Sequence, residues 1–429
     1  MGSVRLAADT VVTCDRDFAV YRPGAVEVGA DGHITSVGPA GPEDHPRRGV
    51  LLPGLVNVHC HSPMTLFRGA ADDVPLDLFL RAVLWPREAR LGRDDVYWGM
   101  TLACAELLRF GVTTTCEMYV HEEAMLEAVL AAGARCVLTP GVLDAPGWLP
   151  WRERLAHVLA FHDENAGCHQ LVEIGLAPHS AYALPLEALD ALAAAARERD
   201  ALVHIHIAET RDEGRALEAE HARSVPALLA DRGLLTRRTL AAHSVWLSDD
   251  DLELYREHDV AVAHCPQSNA KLAAGVARLA DMLRLGLRVG LGTDGPSSNN
   301  DLDLWEELRL AALLARLRDG DPEALPARDA LLLATRGGAE ALGRADLGAL
   351  EPGRWADLIF VRADDPAFVP VVEERDLVSH LVWSASSRLV SDVWVAGRQV
   401  VAAGECLTVD FEQAAREVEQ RARNLARAQ

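Results

Sequence analysis

Leu51-Leu52-Pro53-Gly54-Leu55-Val56-Asn57-Val58-His59-Cys60-His61 is the stretch that decides how the chain is read. An apolar run passes through a Pro-Gly turn and ends on two histidines spaced i, i+2. In a strand, residues two apart share a face. His59 and His61 therefore aim both imidazoles at one point past the strand's carboxyl end, as a metal site requires. A His-x-His pair alone is weak evidence. Its weight comes from further strand-like runs downstream that also end in a histidine or an acid.

Working outward, short apolar runs alternate with Ala/Leu/Glu/Arg-rich helical segments, the rhythm of parallel β/α units. Strands are expected at 51–59, 111–118, 135–143, 172–178, 202–208, 239–246, 260–265 and 288–294. Helices are expected at 94–109, 122–132, 185–199, 213–231 and 248–257. Eight strands, each followed by a helix, make the α/β count of a (β/α)8 TIM-type barrel. A flavodoxin-like open sheet would use fewer strands. Short alternating runs at 10–13, 25–28 and 33–37 return in texture at 356–361 and 393–401. Chain ends often lie close together, so both termini are expected to build one small β-sandwich. The resulting division is 1–50 with 350–409 for the β-sandwich, 51–349 for the catalytic barrel and 410–429 for a charged C-terminal helix.

Composition narrows the function. Against 42 basic residues stand 64 acidic ones, a net charge of -22, which disfavours nucleic acid or an anionic membrane as partner. No run approaches the ~18 apolar residues of a membrane span, and Met1–Thr10 lacks a signal-peptide core, so the expectation is a cytoplasmic protein acting on a small molecule. The eight cysteines form no C-x-x-C pair and read as free thiols.

Barrel active sites gather at the carboxyl ends of the strands. Those ends carry His59 and His61, His179, His204 and His206 with Glu209, His243, His264 and Asp294. Three neutral imidazoles and one carboxylate leave an open position, as in catalytic metal sites. The ligand set read here is His59, His61, His206 and Asp294. His204 and His206 share a face by strand period, so pattern alone leaves that choice open; His206 is preferred as nearer the strand end. His264 reads equally well as structural. Zinc suits the donor set best, with iron(II) or manganese(II) as alternatives.

Pro53–His61, the His206-x-x-Glu209 pair, His243 and Thr293-Asp294-Gly295 together resemble the amidohydrolase superfamily. Met64–Gly69, Trp85–Arg90, Pro266–Leu272 and Asp294–Asn300 are similar to the S-adenosylhomocysteine/5'-methylthioadenosine deaminase group, related to cytosine deaminases and triazine hydrolases. The resemblance runs from about residue 50 to 345. Two-metal members bridge their ions with a carboxylated lysine on strand four. Strand four here has no lysine, and the one lysine of the chain, Lys271, follows strand seven, so one ion is expected unless a glutamate bridges.

The resemblance implies a hydrolytic deaminase. Asp294 would take a proton from the nucleophilic water, Glu209 would protonate a ring nitrogen and His243 would stabilise the oxygen at the attacked carbon. It further implies Glu88 on the ribose hydroxyls, His179 on the base or sugar and Trp85 over an aromatic ring. In relatives that take S-adenosylhomocysteine two arginines hold the amino-acid carboxylate. Arg154 matches one by its distance from His179, whereas the other falls at Pro140 in a loop bearing Trp148 and Trp151. An apolar 5' group is therefore favoured: 5'-methylthioadenosine, 5'-deoxyadenosine or adenosine over S-adenosylhomocysteine. The alternatives are a triazine amino- or chlorohydrolase, a guanine- or pterin-type deaminase, or a scaffold that has lost its chemistry. Such relatives commonly associate through loops near the site, so a homo-oligomer is expected.

Overall fold

The computed structural model describes residues 2–70 and 72–427. Eight parallel barrel strands follow one another: β1 (Leu55–Cys60), β2 (Val112–Tyr119), β3 (Arg135–Val142), β4 (Val172–Ile174, resuming as Ala177–Pro178), β5 (Val203–Ile207), β6 (Thr239–His243), β7 (Ala261–His264) and β8 (Arg288–Leu291). They pair in two arcs, β1–β4 and β5–β8. Bridges Leu176↔Val203 and Ser180↔His206 join the arcs on one side, and Cys60↔Asp294 closes the barrel on the other. The fold is a (β/α)8 barrel with a terminal β unit.

The inward faces of the strands are filled by small and branched residues, among them Val56, Val58, Cys116, Val137, Leu240 and Ala261. Such layered filling makes the barrel a packed core and leaves function to its rim. Helix Arg336–Ala341 plugs the amino-terminal end. It lies so near β1 that a Cβ on Gly338 would sit 2.9 Å from the Val56 carbonyl.

Both ends of the chain meet in one nine-stranded sheet. The expected strand 51–59 is in fact two. Leu51–Pro53 finish the strand Arg47–Pro53, which pairs antiparallel with Leu358–Arg362 in the terminal sheet, and β1 begins at Leu55. The break falls at Gly54, where a Cβ would collide with Thr113 Oγ1 at 2.2 Å. Expected strand 172–178 also breaks, at Gly175-Leu176, because the backbone changes partner. Gly175 N–H donates to Leu138 of β3, and Leu176 N–H donates to Leu202 beside β5. The guanidinium of Arg135, at the start of β3, donates to both carboxylate oxygens of Asp357 (2.7 and 3.0 Å) and ties barrel to sheet; both residues are buried.

Four expected helices stand as Arg93–Arg109, Glu122–Ala132, Leu186–Arg199 and Asp249–Glu257. Expected helix 213–231 is two, Arg211–His221 and Val225–Asp231, capped by Thr210 and Ser224 and separated at left-handed Ala222 (φ 52°). A hydroxyl cap and a proline at the second start restart the helix in a new direction. The C-terminal helix covers Phe411–Arg427 and packs on Arg93–Arg109, where Arg421 pairs with Asp95 at 3.0 Å; residues 428–429 lie outside the described residues. Among the described residues no helix is long and apolar enough to cross a membrane.

Candidate active site

The carboxyl ends of β1, β5 and β8 bring His59, His61, His206 and Asp294 together, with one ligand-type atom from each within 4.8 Å of all the others. Asp294 Oδ1 lies 3.3 Å from His59 Nε2 and 3.2 Å from His61 Nε2, and His61 Nε2 lies 3.3 Å from His206 Nε2. Atoms held at about 2.0–2.1 Å from an ion at tetrahedral angles stand roughly 3.3–3.4 Å apart. The spacing therefore matches a shared cation. His59 Nε2 is buried without a hydrogen-bond partner, an arrangement that costs free energy unless something accepts its lone pair. Donor set, spacing and orphaned nitrogen all fit a divalent ion.

Each imidazole is held from behind. His61 Nδ1 donates to the Met118 carbonyl, and His206 Nδ1 donates to the His179 carbonyl at 2.7 Å. A carbonyl only accepts, so these bonds put the proton on Nδ1 and free Nε2 as a ligand. His59 Nδ1 instead meets His204 Nε2 at 2.7 Å. That separates the two candidates of β5: His206 faces the cluster and His204 lies one layer deeper, behind His59. Burial pushes His59 down to about 3, keeping it neutral as a ligand must be. Asp294 is held from its outer side as well. Its Oδ2 accepts from Ser268 and Ser298, both at 2.7 Å.

Glu209 and His243 flank the cluster. Glu209 is buried beyond the end of β5, and burial raises its carboxyl, with His243 opposing and Asp294 assisting. His243 Nε2 lies 3.9 Å from Glu209 Oε2, and its Nδ1 donates to Asn269 Oδ1 at 2.9 Å. Ala208, His243, Ser244 and Asp294 all have left-handed backbones (φ 51°, 68°, 50° and 59°). Non-glycine residues adopt that region at a cost, and such strain gathers where side chains must be re-aimed. Here it turns the strand ends inward.

A cleft, partly open to solvent, rises from this cluster. Trp85, Glu88 and His179 line it, as expected from the sequence. Burial pushes Glu88 up to about 7. Arg154 is not brought there. Its guanidinium makes a fork to Glu122 (2.9 and 2.9 Å), and its Nε donates to the Gly141 carbonyl at 2.9 Å. That ion pair, invisible from sequence spacing, engages its guanidinium, and Arg154 lines instead a neighbouring cleft with Glu88, Leu143 and Trp148. His264 is buried and does not line the cavity. Lys271 pairs with Asp72 at 2.8 Å, away from the cluster.

Several contributors went unread in the sequence. Phe79, Leu80 and Leu84 form an apolar wall on a helical segment with a π-type stretch at Phe79–Leu84, a distortion frequent at functional sites. Tyr119 and Tyr182 line the cavity as well. Glu117, buried on β2, accepts from Ser62 Oγ (2.6 Å) and N–H (2.9 Å) and fixes the turn after His61. A signal existed for Ser268, Asn269 and Ser298: each lies in a short polar run immediately after β7 or β8.

Residues 50–400 match the amidohydrolase family. The chain is 40% identical over 99% of both chains to a 5-methylthioadenosine/S-adenosylhomocysteine deaminase of Pelotomaculum thermopropionicum. It is 41% identical, over 83% of each, to a 5'-deoxyadenosine deaminase of Methanothermobacter thermautotrophicus. Among solved structures, an adenosine deaminase from Xanthomonas campestris with bound zinc superposes with a TM-score of 0.93 at 33% identity, covering 98% of each chain. An atrazine chlorohydrolase from Arthrobacter aurescens, complexed with zinc, gives 0.91 at 25% identity, over 98% of this chain and 100% of that one. With its barrel, its histidine–aspartate cluster and these likenesses together, the chain belongs to the amidohydrolase family.

Proposed function

We propose that this enzyme is a zinc-dependent deaminase that converts an adenine nucleoside with a small apolar 5' group, and water, to the inosine analogue and ammonia. The observation that carries the reading is the convergence of His59, His61, His206 and Asp294, with Glu209 and His243 at its edge. A single ion held by those four residues would lower the pKa of a water toward ~7 and make a nucleophile available at neutral pH. The lack of any lysine on β4 supports one ion over two.

Asp294, its outer oxygen fixed by Ser268 and Ser298, is placed to accept the proton given up by that water. Glu209, its carboxyl raised by burial, is placed to pass a proton to the ring nitrogen beside the attacked carbon. His243, oriented by Asn269, stands where it can hydrogen-bond the oxygen added at that carbon. The amino group leaves as ammonia with a proton returned from Asp294 or Glu209. Farther out, Glu88 accepts from the ribose hydroxyls, His179 touches the base or sugar, and Trp85 covers an apolar face. The wall of Phe79, Leu80, Leu84 and Leu143, with Arg154 already paired, supports a neutral 5' substituent. Names of the deaminase relatives support the nucleoside class. The charge of -22 supports a diffusible small-molecule substrate over a nucleic acid.

Ammonia release by zinc-loaded protein over a panel tests this: 5'-methylthioadenosine, 5'-deoxyadenosine, adenosine, S-adenosylhomocysteine, guanine and an aminotriazine. The expected result is highest kcat/KM on the first two and at least tenfold less on S-adenosylhomocysteine. A protein that deaminates no adenosine analogue refutes the reading.

A further inference from the structure

His61 and His206 each hand their Nδ1 proton to a backbone carbonyl, which settles their tautomers with one bond. His59 has no carbonyl behind it. Its Nδ1 faces the Nε2 of His204 at 2.7 Å. An imidazole nitrogen can donate or accept, so this contact alone leaves the His59 proton on either nitrogen. Were His204 the donor, His59 would carry its proton on Nε2, the atom that faces Asp294, and could not give a lone pair to an ion. Something beyond His204 has to decide.

Thr139 lies there. Its hydroxyl donates to the Glu117 carbonyl at 2.8 Å, and its oxygen is 2.9 Å from His204 Nδ1. With the hydroxyl proton committed to a carbonyl, the oxygen is left to accept. His204 must then carry its proton on Nδ1 and donate it to Thr139. His204 is fully buried, and its ring nitrogens bond His59, Thr139 and the weakly interacting Cys116 thiol at 3.5 Å, with no carboxylate among them. An unpaired buried charge is costly, so the ring stays neutral and its Nε2 is a lone pair. That lone pair accepts the Nδ1 proton of His59. The chain of bonds ends with His59 Nε2 bare, buried and unpartnered, facing the cluster.

We propose that Thr139 and His204 are positioning residues, a one-way relay of hydrogen bonds from the Glu117 carbonyl that sets the tautomer of His59 for metal binding. The proposal rests on His59 being a ligand, as read above. It also gives β5's second histidine a role: the His-x-His of β5 supplies a ligand and, one layer deeper, the support of a ligand on β1. Thr139→Val keeps the side chain's shape and removes the acceptor. His204 then has an unsatisfied Nδ1–H, relieved by moving its proton to Nε2, which turns His59 around.

Zinc affinity by chelator competition is the test, on full-length protein, alongside urea unfolding of the metal-free forms. Thr139→Val should bind zinc tenfold to a hundredfold more weakly, the usual range for loss of a ligand's supporting bond. Thr139→Ser should restore wild-type affinity, and metal-free stability should not track the difference. Nitrogen-15 spectra of histidine-labelled wild type give an independent readout that needs no variant to fold: exchange-protected Nδ1–H signals for both His59 and His204, assigned by through-space contacts of each ring to its neighbours. Equal zinc affinity of wild type and Thr139→Val overturns the relay while leaving the metal reading intact, as does a wild-type His204 protonated on Nε2. Failure of the wild type to hold stoichiometric zinc overturns both.

Discussion

Glu213 sits behind Glu209, proposed above as the proton-transfer residue, and its charge should govern how stability varies with pH. On the first turn of helix Arg211–His221, its Oε2 accepts the backbone N–H of Glu209 at 2.9 Å, while Oε1 is buried without a partner. Burial, reinforced by the neighbouring Glu209, raises this carboxyl from its ordinary 4.5 to about 8. A pKa raised on folding means that the folded state holds the proton more tightly. The stabilisation this gives is complete below pH 4.5 and is lost as pH rises toward 8. At about 1.4 kcal/mol per pH unit, the ceiling on that loss is about 5 kcal/mol. Glu213→Gln keeps the shape and the oxygen that accepts from Glu209 but cannot ionise. The variant should be close to wild type near pH 5 and should gain on it steadily, by on the order of a few kcal/mol at pH 9. Urea unfolding of both zinc-saturated proteins at matched pH measures this, since pH effects common to the two cancel in the difference. A stability difference that stays flat from pH 5 to 9 would refute the argument, because it would mean that Glu213 ionises alike in the folded and unfolded chains.

Two further outcomes follow from the geometry. Glu209→Gln should lower kcat/KM for 5'-methylthioadenosine by about 10²–10⁴, or roughly 3–5 kcal/mol of barrier, with zinc content unchanged; a loss under tenfold would remove Glu209 from proton transfer. Arg135→Met strands the buried Asp357 carboxylate, which accepts from Arg135 and from the Ala396 N–H at 2.7 Å. It should cost about 3–5 kcal/mol by urea unfolding, and adding Asp357→Leu should recover a substantial part of it.

What the sequence displays well is which face a residue takes. Period two puts His59 with His61 and His204 with His206, and alternation of apolar strands with helices marks the barrel whose rim collects them. What it shows only weakly is depth along the barrel axis: nearness to the strand end favours His206 over His204 but does not fix the height of either. His204 and His206 are indistinguishable by face, yet one meets the cluster and the other supports it. Only the pairing of neighbouring strands, with Ser180 level with His206 and Leu176 level with Val203, sets that height. Partners far apart in sequence are hidden for the same reason. Arg154 looks free by its distance from His179, but Glu122, from the start of another helix, occupies its guanidinium. Phe79 and Leu84 went unread because an apolar helical face looks alike whether it meets another helix or a substrate.

Depth also explains why a buried, uncharged-looking position such as Thr139 can matter more than its composition suggests. On a strand lining a packed barrel, a hydroxyl pointing inward must satisfy both its proton and its lone pairs within the core. Its proton goes to the carbonyl of Glu117 on β2, so its lone pair serves the layer above. The direction of that one bond propagates through His204 to His59, and valine, of nearly equal volume, would fill the space and lose the direction. Packing alone would accept either residue; the polarity of the cluster above distinguishes them.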